Sequence, residues 1–150
     1  MSHHHSHGAH DGVSWKTSAH VTLHCLTGCA IGEVTGLIVG TALGLGVWGT
    51  MGLATALAFL FGMGLAVLPV MRQGASFARA FGAVWLGEVI SIAVMELAMN
   101  GTDYAIGGVQ TGSLTAPLFW IGMALAIPAG FLAAWPVNHW LVSKSLKACH

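Results

Sequence analysis

Long apolar stretches dominate the chain and alternate with short polar turns. Four of these stretches, at 21–45, 50–71, 77–99 and 116–142, consist mainly of Leu, Val, Ile, Ala, Gly and Phe with few charged residues. A helix that crosses a bilayer needs about 20 such residues. None of the stretches alternates apolar and polar residues with the period of two that a membrane-barrel strand requires. The pattern therefore predicts an all-α membrane protein with four transmembrane helices.

Composition supports this class and excludes an ordinary soluble domain. Of the 150 residues, 55% are hydrophobic and only 7% are charged, and the mean hydropathy is +0.77. In soluble domains about a quarter of the residues are charged. We expect one four-helix transmembrane domain over residues 20–143. It lies between a disordered His-rich tail at 1–19 and a short tail at 144–150.

The positions of Lys and Arg predict the orientation. Lys16 precedes the first apolar stretch, Arg72 and Arg79 flank the turn between the second and third, and Lys144 and Lys147 follow the fourth. With four spans all five lie on one side, which the positive-inside rule makes cytoplasmic. Both termini are thus predicted to be cytoplasmic, in a multi-pass protein of the cell (inner) membrane without a cleavable signal peptide. The zero formal net charge and the lack of a basic patch argue against a nucleic-acid partner.

The first predicted helix carries the densest group of chemically capable side chains. With Cys25 as the origin and 100° per residue, Cys29 lies about 40° away and Glu33 about 80° away. Small residues spaced four apart share this face to within about 60° and allow another helix to approach closely. They are Gly32, Gly36 and Gly40. We therefore expect this face to point into the bundle and away from lipid.

Thiols, an imidazole and a carboxylate in one apolar helix predict a site for a soft or borderline metal ion. Cys25 and Cys29 are spaced so that both sulfurs can reach one ion, and thiolate favours Cu(I) first and Zn(II) second. His24 and Glu33 are further candidate ligands, although His24 points about 100° away from Cys25. The alternative is that both cysteines are small buried hydrophobic residues, as free cysteines often are.

The third predicted helix carries a polar stripe with thioether groups. Relative to Glu88, Met95 and Met99 each lie about 20° away, and Ser91 and Glu96 flank them at about 60° and 80°. Carboxyl groups inside a membrane are functional candidates by default. Because no Lys or Arg lies within the spans, we expect the buried glutamates to be protonated, hydrated, hydrogen-bonded or bound to a cation. The alternatives are helix association for the glutamates and core packing for the methionines.

The remaining histidines are secondary metal candidates. His139 lies near the end of the fourth stretch, and its alternative is an interfacial histidine wetted by lipid headgroups. A cluster in the first dozen residues can bind divalent metals or copper ions loosely, unless it is an inert or engineered tail. This cluster comprises His3, His4, His5, His7 and His10.

Several segments together resemble the Domain of Unknown Function 4396 family of small prokaryotic membrane proteins. The most specific is the string His-Cys-Leu-Thr-Gly-Cys-Ala-Ile-Gly-Glu at 24–33, and the resemblance covers roughly residues 20–142. The other matching strings lie at 91–96, 117–120 and 136–141. The resemblance implies a four-helix membrane domain and no settled activity.

These patterns lead to a hypothesis of soft-metal binding and transport. We expect Cu(I), or Zn(II) second, to be held by Cys, His, Glu and Met side chains in the bundle interior, in a homo-oligomer packed through glycine-rich faces. No motif identifies an enzyme. One alternative is a thiol-redox protein that uses Cys25 and Cys29, and a variant of it has His24 and His139 binding haem, which we consider the weaker possibility. The other alternative is a structural subunit of a membrane complex.

Overall fold

The computed structural model describes residues 13–147 and is built from four long helices. They are α1 (Trp15–Ala42), α2 (Gly46–Arg72), α3 (Phe77–Ile106) and α4 (Pro117–Ser143). Each is long and apolar enough to cross a membrane, and no strand occurs in the described range. The prediction of an all-α protein with four transmembrane helices is confirmed. The histidines predicted as loose metal ligands at positions 3–10 lie outside the described residues.

The first helix begins earlier than its hydropathy indicates. Ser14 is the N-cap, and its side chain accepts a hydrogen bond from the backbone N–H of Lys16 at 3.2 Å. Such a cap satisfies one of the free N–H groups at a helix start, so α1 can begin in a polar segment. Residues 15–19, predicted as part of a disordered tail, are therefore the first turns of α1.

The third helix also exceeds its predicted end. The Gly-rich run from Gly101 to Thr115 predicts an outer loop between the third and fourth stretches. In the structure α3 instead continues to Ile106 and ends at Gly107, whose φ of +91° is the left-handed conformation typical of a helix C-cap. A short 3₁₀ turn, Val109–Thr111, follows before α4. The predicted outer loop is thus shorter than expected.

The helices form an antiparallel bundle with two distinct ends. The "termini end" contains the start of α1 and the end of α4, where the Trp135 indole N–H donates to the carbonyl of Trp15 at 3.2 Å. The "loop end" contains the turn after α1 and the 3₁₀ turn between α3 and α4. The most extensive packing is between α1 and α2, followed by α3 and α4. All five Lys and Arg residues belong to the termini end.

Backbone packs directly on backbone between α1 and α2. A β-carbon added at Gly28 would come within 2.7 Å of the Cα of Gly62, and one added at Gly36 would overlap the backbone of Ala54. Gly32 and Gly40 are equally tight against α2. The predicted small-residue face is therefore buried in the bundle, as expected. Because α2 of the same chain occupies it, this ridge is not available for the predicted contact between copies.

Candidate polar and sulfur sites in the bundle interior

Four sulfur-containing side chains belong to one buried hydrophobic cluster, which we call the sulfur cluster. Cys25 and Cys29 of α1 and Met95 and Met99 of α3 are each at most 3% exposed and share a core with Ile92. The two cysteines are free thiols and interact with each other along α1. The helical spacing predicted that each pair would share a face, and the fold brings the two pairs into one core.

Two small residues shape the space around the sulfurs. The Cys25 Sγ lies 3.6 Å from the Ser91 Oγ of α3, which is within reach of a weak sulfur hydrogen bond. On the other side, Gly130 of α4 leaves room for the methionines, because a β-carbon there would lie 2.9 Å from the Met99 Sδ and 3.1 Å from the Met95 Cγ. A larger residue at position 130 would displace both thioethers.

Glu88 has a buried cationic partner, which corrects the expectation that no Lys or Arg reaches the membrane glutamates. The Lys147 Nζ lies 3.2 Å from the Glu88 Oε2, and both side chains are less than 10% exposed. After α4 the chain reverses at Ser145, whose φ is +56°, and returns to pack on α3. Gly87 permits this return because its missing side chain makes room for the carbonyl of Leu146. Glu88 is therefore paired in this structure.

Lys147 also begins a chain of hydrogen bonds that links the C-terminal segment to α4 and α1. It donates to the Asn138 Oδ1 of α4 at 3.0 Å, and the Asn138 amide donates to the Thr22 Oγ1 of α1 at 2.9 Å. The Thr22 hydroxyl in turn donates to the carbonyl of Ser18 at 2.7 Å. All four residues are buried, so this network keeps the ammonium group hydrogen-bonded away from water.

A small cavity connects this network to the first cysteine. His24, Cys25, Glu88 and Lys147 line it, together with apolar side chains from α1, α2 and α3. Its volume is about 20 Å³, which is enough for one water molecule. The Lys147 side chain and the Cys25 thiol therefore face the same small space.

The two predicted histidine ligands lie outside the sulfur cluster. His24 is exposed, and its Nε2 lies 3.4 Å from the carbonyl of Leu65 on α2. His139 stacks on Trp15 with ring centroids 3.9 Å apart, and its Nδ1 is 2.8 Å from the Ser18 Oγ. The two imidazoles contact different helices, and neither belongs to the sulfur cluster.

A carboxyl pair lies nearer the loop end. Glu33 of α1 and Glu96 of α3 lie close to each other without a hydrogen bond between them, and they are 0% and 3% exposed. The Asn100 amide donates to the Glu96 Oε2 at 3.3 Å and to the Thr55 Oγ1 of α2 at 3.2 Å. The predicted ligands Glu33 and Glu96 are thus brought together, apart from Glu88.

Asp103 is a buried acidic residue near the end of α3, in the part of that helix that lies beyond the third apolar stretch. Its Oδ2 accepts from the backbone N–H of Val109 at 2.9 Å, which ties α3 to the 3₁₀ turn. Its Oδ1 lies against Gly108 and Gly122, where any side chain would collide with it. A clue was present in the sequence, because an aspartate before a Gly-rich segment commonly accepts backbone hydrogen bonds.

The described residues contain no group of three or more His, Cys, Asp or Glu side chains arranged to hold a metal ion. Methionine is a further ligand for Cu(I), besides these four residue types. The candidate metal ligands in the sulfur cluster are therefore two thiols and two thioethers. The carboxyl groups lie in separate environments.

Four helices that are long and apolar enough to cross a membrane, with thiol, thioether and carboxyl groups buried among them, define a multi-pass membrane protein. A family model described as "Domain of unknown function (DUF4396)" matches residues 14–147. The chain belongs to this family, which confirms the resemblance noted in the sequence. No curated protein and no solved structure matches it.

Proposed function

We propose that this protein binds Cu(I) at the cluster of Cys25, Cys29, Met95 and Met99 and carries the ion through the bundle. The observation that supports this most strongly is that two thiol side chains of α1 and two thioether side chains of α3 belong to one buried core. Thiolate and thioether are both soft ligands, and soft ligands select Cu(I) over the harder divalent ions. Zn(II) is the weaker candidate because it prefers four tetrahedral ligands drawn mainly from Cys and His.

The charges near the cysteines are compatible with a cuprous thiolate site. Two thiolates around one monovalent ion carry a net negative charge, and the Lys147 ammonium group lines the same cavity as Cys25. A buried charge needs a nearby partner of opposite sign. Ser91 supplies a further hydrogen bond to Cys25. His24, at the edge of this cavity, is the residue from which an ion would be passed to Cys25 or released from it.

The proposal also includes an orientation in the membrane, a cellular location and an oligomeric state. We propose that the termini end faces the cytoplasm, because all Lys and Arg residues belong to it, and that the protein resides in the cell (inner) membrane. The methionines then lie deeper in the membrane than Cys25, so that thioethers and thiols succeed each other along the bundle. We also propose a homo-oligomer, assembled through surfaces other than the ridge that α2 covers.

Cu(I) titration of the purified protein tests this proposal. The measurement is competition against a chromophoric Cu(I) chelator. The five tail histidines, together with Cys149 and His150 at the end of the sequence, are replaced by serine so that only the bundle can bind. We expect one tightly bound Cu(I) per chain. Cys25→Ser with Cys29→Ser should weaken Cu(I) binding by more than about 100-fold. Loss of a residue that only hydrogen-bonds to a metal ligand already weakens metal binding by about 10- to 100-fold, and here the ligands themselves are removed.

Two methionine variants separate ligation from packing. Met95→Leu with Met99→Leu preserves volume and should weaken binding by about 10-fold or more. Met63→Leu is the matched control, because Met63 packs near a different part of the core, and it should leave binding unchanged. Equal and weak binding by the parent and the cysteine variant would overturn the proposal. Tight binding that survives loss of both methionines would restrict the site to the thiols.

A further inference from the structure

A long apolar groove runs between α2 and α3 and reaches the turn that joins them. Its volume is about 580 Å³, and every side chain that lines it is apolar. Phe59, Met63 and Met71 lie on its α2 side, and Phe77 and Phe81 lie on its α3 side. Because both helices are long and apolar enough to cross a membrane, the groove belongs to the surface that lipid covers. Its walls therefore suit an alkyl chain.

The turn at the end of this groove is positively charged. Arg72 directly follows Met71, and Arg79 comes two positions after Phe77, so both arginines flank the turn that the groove reaches. Both are exposed. The first turn of α3 begins at the same level, and its N-cap Ser76 makes no side-chain hydrogen bond, which leaves backbone N–H groups for another acceptor. An apolar groove therefore ends beside two guanidinium groups.

The part of the chain that the structure describes supplies no anion to these arginines. Its acidic residues are all buried in the bundle and comprise Glu33, Glu88, Glu96 and Asp103. Glu88 pairs with Lys147, and the other three lie nearer the loop end. Between residues 13 and 147 neither Arg72 nor Arg79 takes part in a salt bridge. An anion that neutralises them must come from outside this part of the chain.

We infer that this groove and its two arginines bind an anionic phospholipid. One acyl chain lies in the groove, and the phosphate group meets the guanidinium groups of Arg72 and Arg79 at the turn. Guanidinium groups bind phosphate through paired, charge-assisted hydrogen bonds, and basic positions beside membrane helices select acidic headgroups. A zwitterionic lipid has the same phosphate, but its headgroup cation repels the arginines. The inference is independent of copper binding and of the orientation in the membrane.

A phospholipid fits this groove better than a helix of a second copy. Copies of one chain share an orientation in a membrane, so their termini ends lie at the same level. All five Lys and Arg residues belong to that end. A second copy would therefore bring further cations to Arg72 and Arg79, and like charges repel. An anionic headgroup brings the opposite charge to the same place, and its acyl chain matches the apolar walls.

Native mass spectrometry of the purified full-length protein in detergent tests the inference. The probes are phosphatidylglycerol and phosphatidylcholine with identical acyl chains, each titrated separately. We expect one phosphatidylglycerol per chain to bind at least about tenfold more tightly than phosphatidylcholine. Arg72→Gln with Arg79→Gln should remove this preference, since each basic residue at a membrane surface contributes about fivefold. Lys16→Gln with Lys144→Gln is the matched control, because it removes two exposed cations from the same end, and it should keep the preference.

Gly64→Phe tests the groove itself. Gly64 lines the groove, and a β-carbon added there has nothing within 4 Å, so an aromatic ring can occupy the groove without disturbing the packing of α2. The variant should lose the tightly bound phosphatidylglycerol, because the ring takes the place of the acyl chain. Gly82→Phe on α3 is the control. Gly82 also has nothing within 4 Å of an added β-carbon and does not line the groove, so phosphatidylglycerol should still bind.

Several results would overturn the inference. One is equal affinity of the parent protein for the two lipids, and another is a preference that survives the loss of both arginines. A preference that falls equally in the two-lysine control would show that only the total charge of this end matters. Phosphatidylglycerol binding that is unchanged in Gly64→Phe would place the lipid elsewhere. Conversion of an oligomer into monomers by Gly64→Phe would assign the groove to a contact between copies of the chain.

Discussion

Replacing Gly36 with valine is expected to separate α1 from α2 and to destroy the folded bundle. A β-carbon at this position would overlap the Cα of Ala54, and a backbone atom cannot move aside as the end of a side chain can. Overpacking in cores that can adjust costs about 1–3 kcal/mol, so the cost here should exceed that range. The measurement is thermal unfolding of purified protein in detergent, together with the yield of monodisperse protein.

Gly52→Val is the matched control for this experiment. Gly52 lies on α2, in the same helix pair, but a β-carbon added there has nothing within 4 Å. The same chemical change should therefore leave the unfolding temperature within a few degrees of the parent. If Gly36→Val also gave a normal unfolding transition and yield, the close backbone packing between α1 and α2 would be refuted.

Removing the Lys147 ammonium group is the second change for which we expect a large effect. Lys147→Met leaves the Glu88 carboxylate buried without its partner and the Asn138 carbonyl oxygen without its donor. Breaking a buried ion pair from one side costs about 3–5 kcal/mol. We expect a markedly lower unfolding temperature and faster alkylation of Cys25 by a maleimide, because the Lys147 side chain lines the cavity beside that thiol.

A second substitution, at Glu88, should restore most of the stability that Lys147→Met removes. Glu88→Gln in the Lys147→Met background replaces the unpaired charge by a neutral amide, so most of the lost stability should return. The maleimide reaction of Cys25 should slow again toward the parent rate, because the restored C-terminal segment and a methionine side chain nearly as long as lysine fill the space beside that thiol. Lys144→Met is the control, since Lys144 is exposed, and it should change neither property. Equal stability of the single and double variants would show that the ion pair does not hold the C-terminal segment in place.

The number and class of the helices were predictable because they depend on the length of apolar runs. The helix ends were harder to predict, because a helix can begin or end among polar residues when a local group satisfies its backbone. Ser14 does this at the start of α1, and the left-handed Gly107 does it at the end of α3. Hydropathy does not detect the Ser14 cap or the left-handed Gly107. A prediction from hydropathy therefore starts α1 too late and ends α3 too early.

The site was predictable where it depends on the spacing along one helix. Cys25 and Cys29, like Met95 and Met99, are four apart, and helical geometry alone places each pair on one face. The pairing of Glu88 with Lys147 depends instead on a chain reversal at Ser145, which follows the last apolar run. A contact made by a short segment after the final helix has no periodic pattern, so Lys147 was counted as part of a tail.

The interlocked backbones of α1 and α2 also define which parts of the molecule can move. These two helices cannot slide or rotate against each other without their chains colliding, so they behave as one rigid half. We therefore expect displacement between that half and the half formed by α3 and α4, within which Pro128 removes one backbone hydrogen bond of α4. Both clusters straddle this boundary, since each takes one set of side chains from α1 and the other from α3. A single shift of one half past the other would change the sulfur cluster and the carboxyl pair at the same moment, which gives the two sites a mechanical connection without any residue in common.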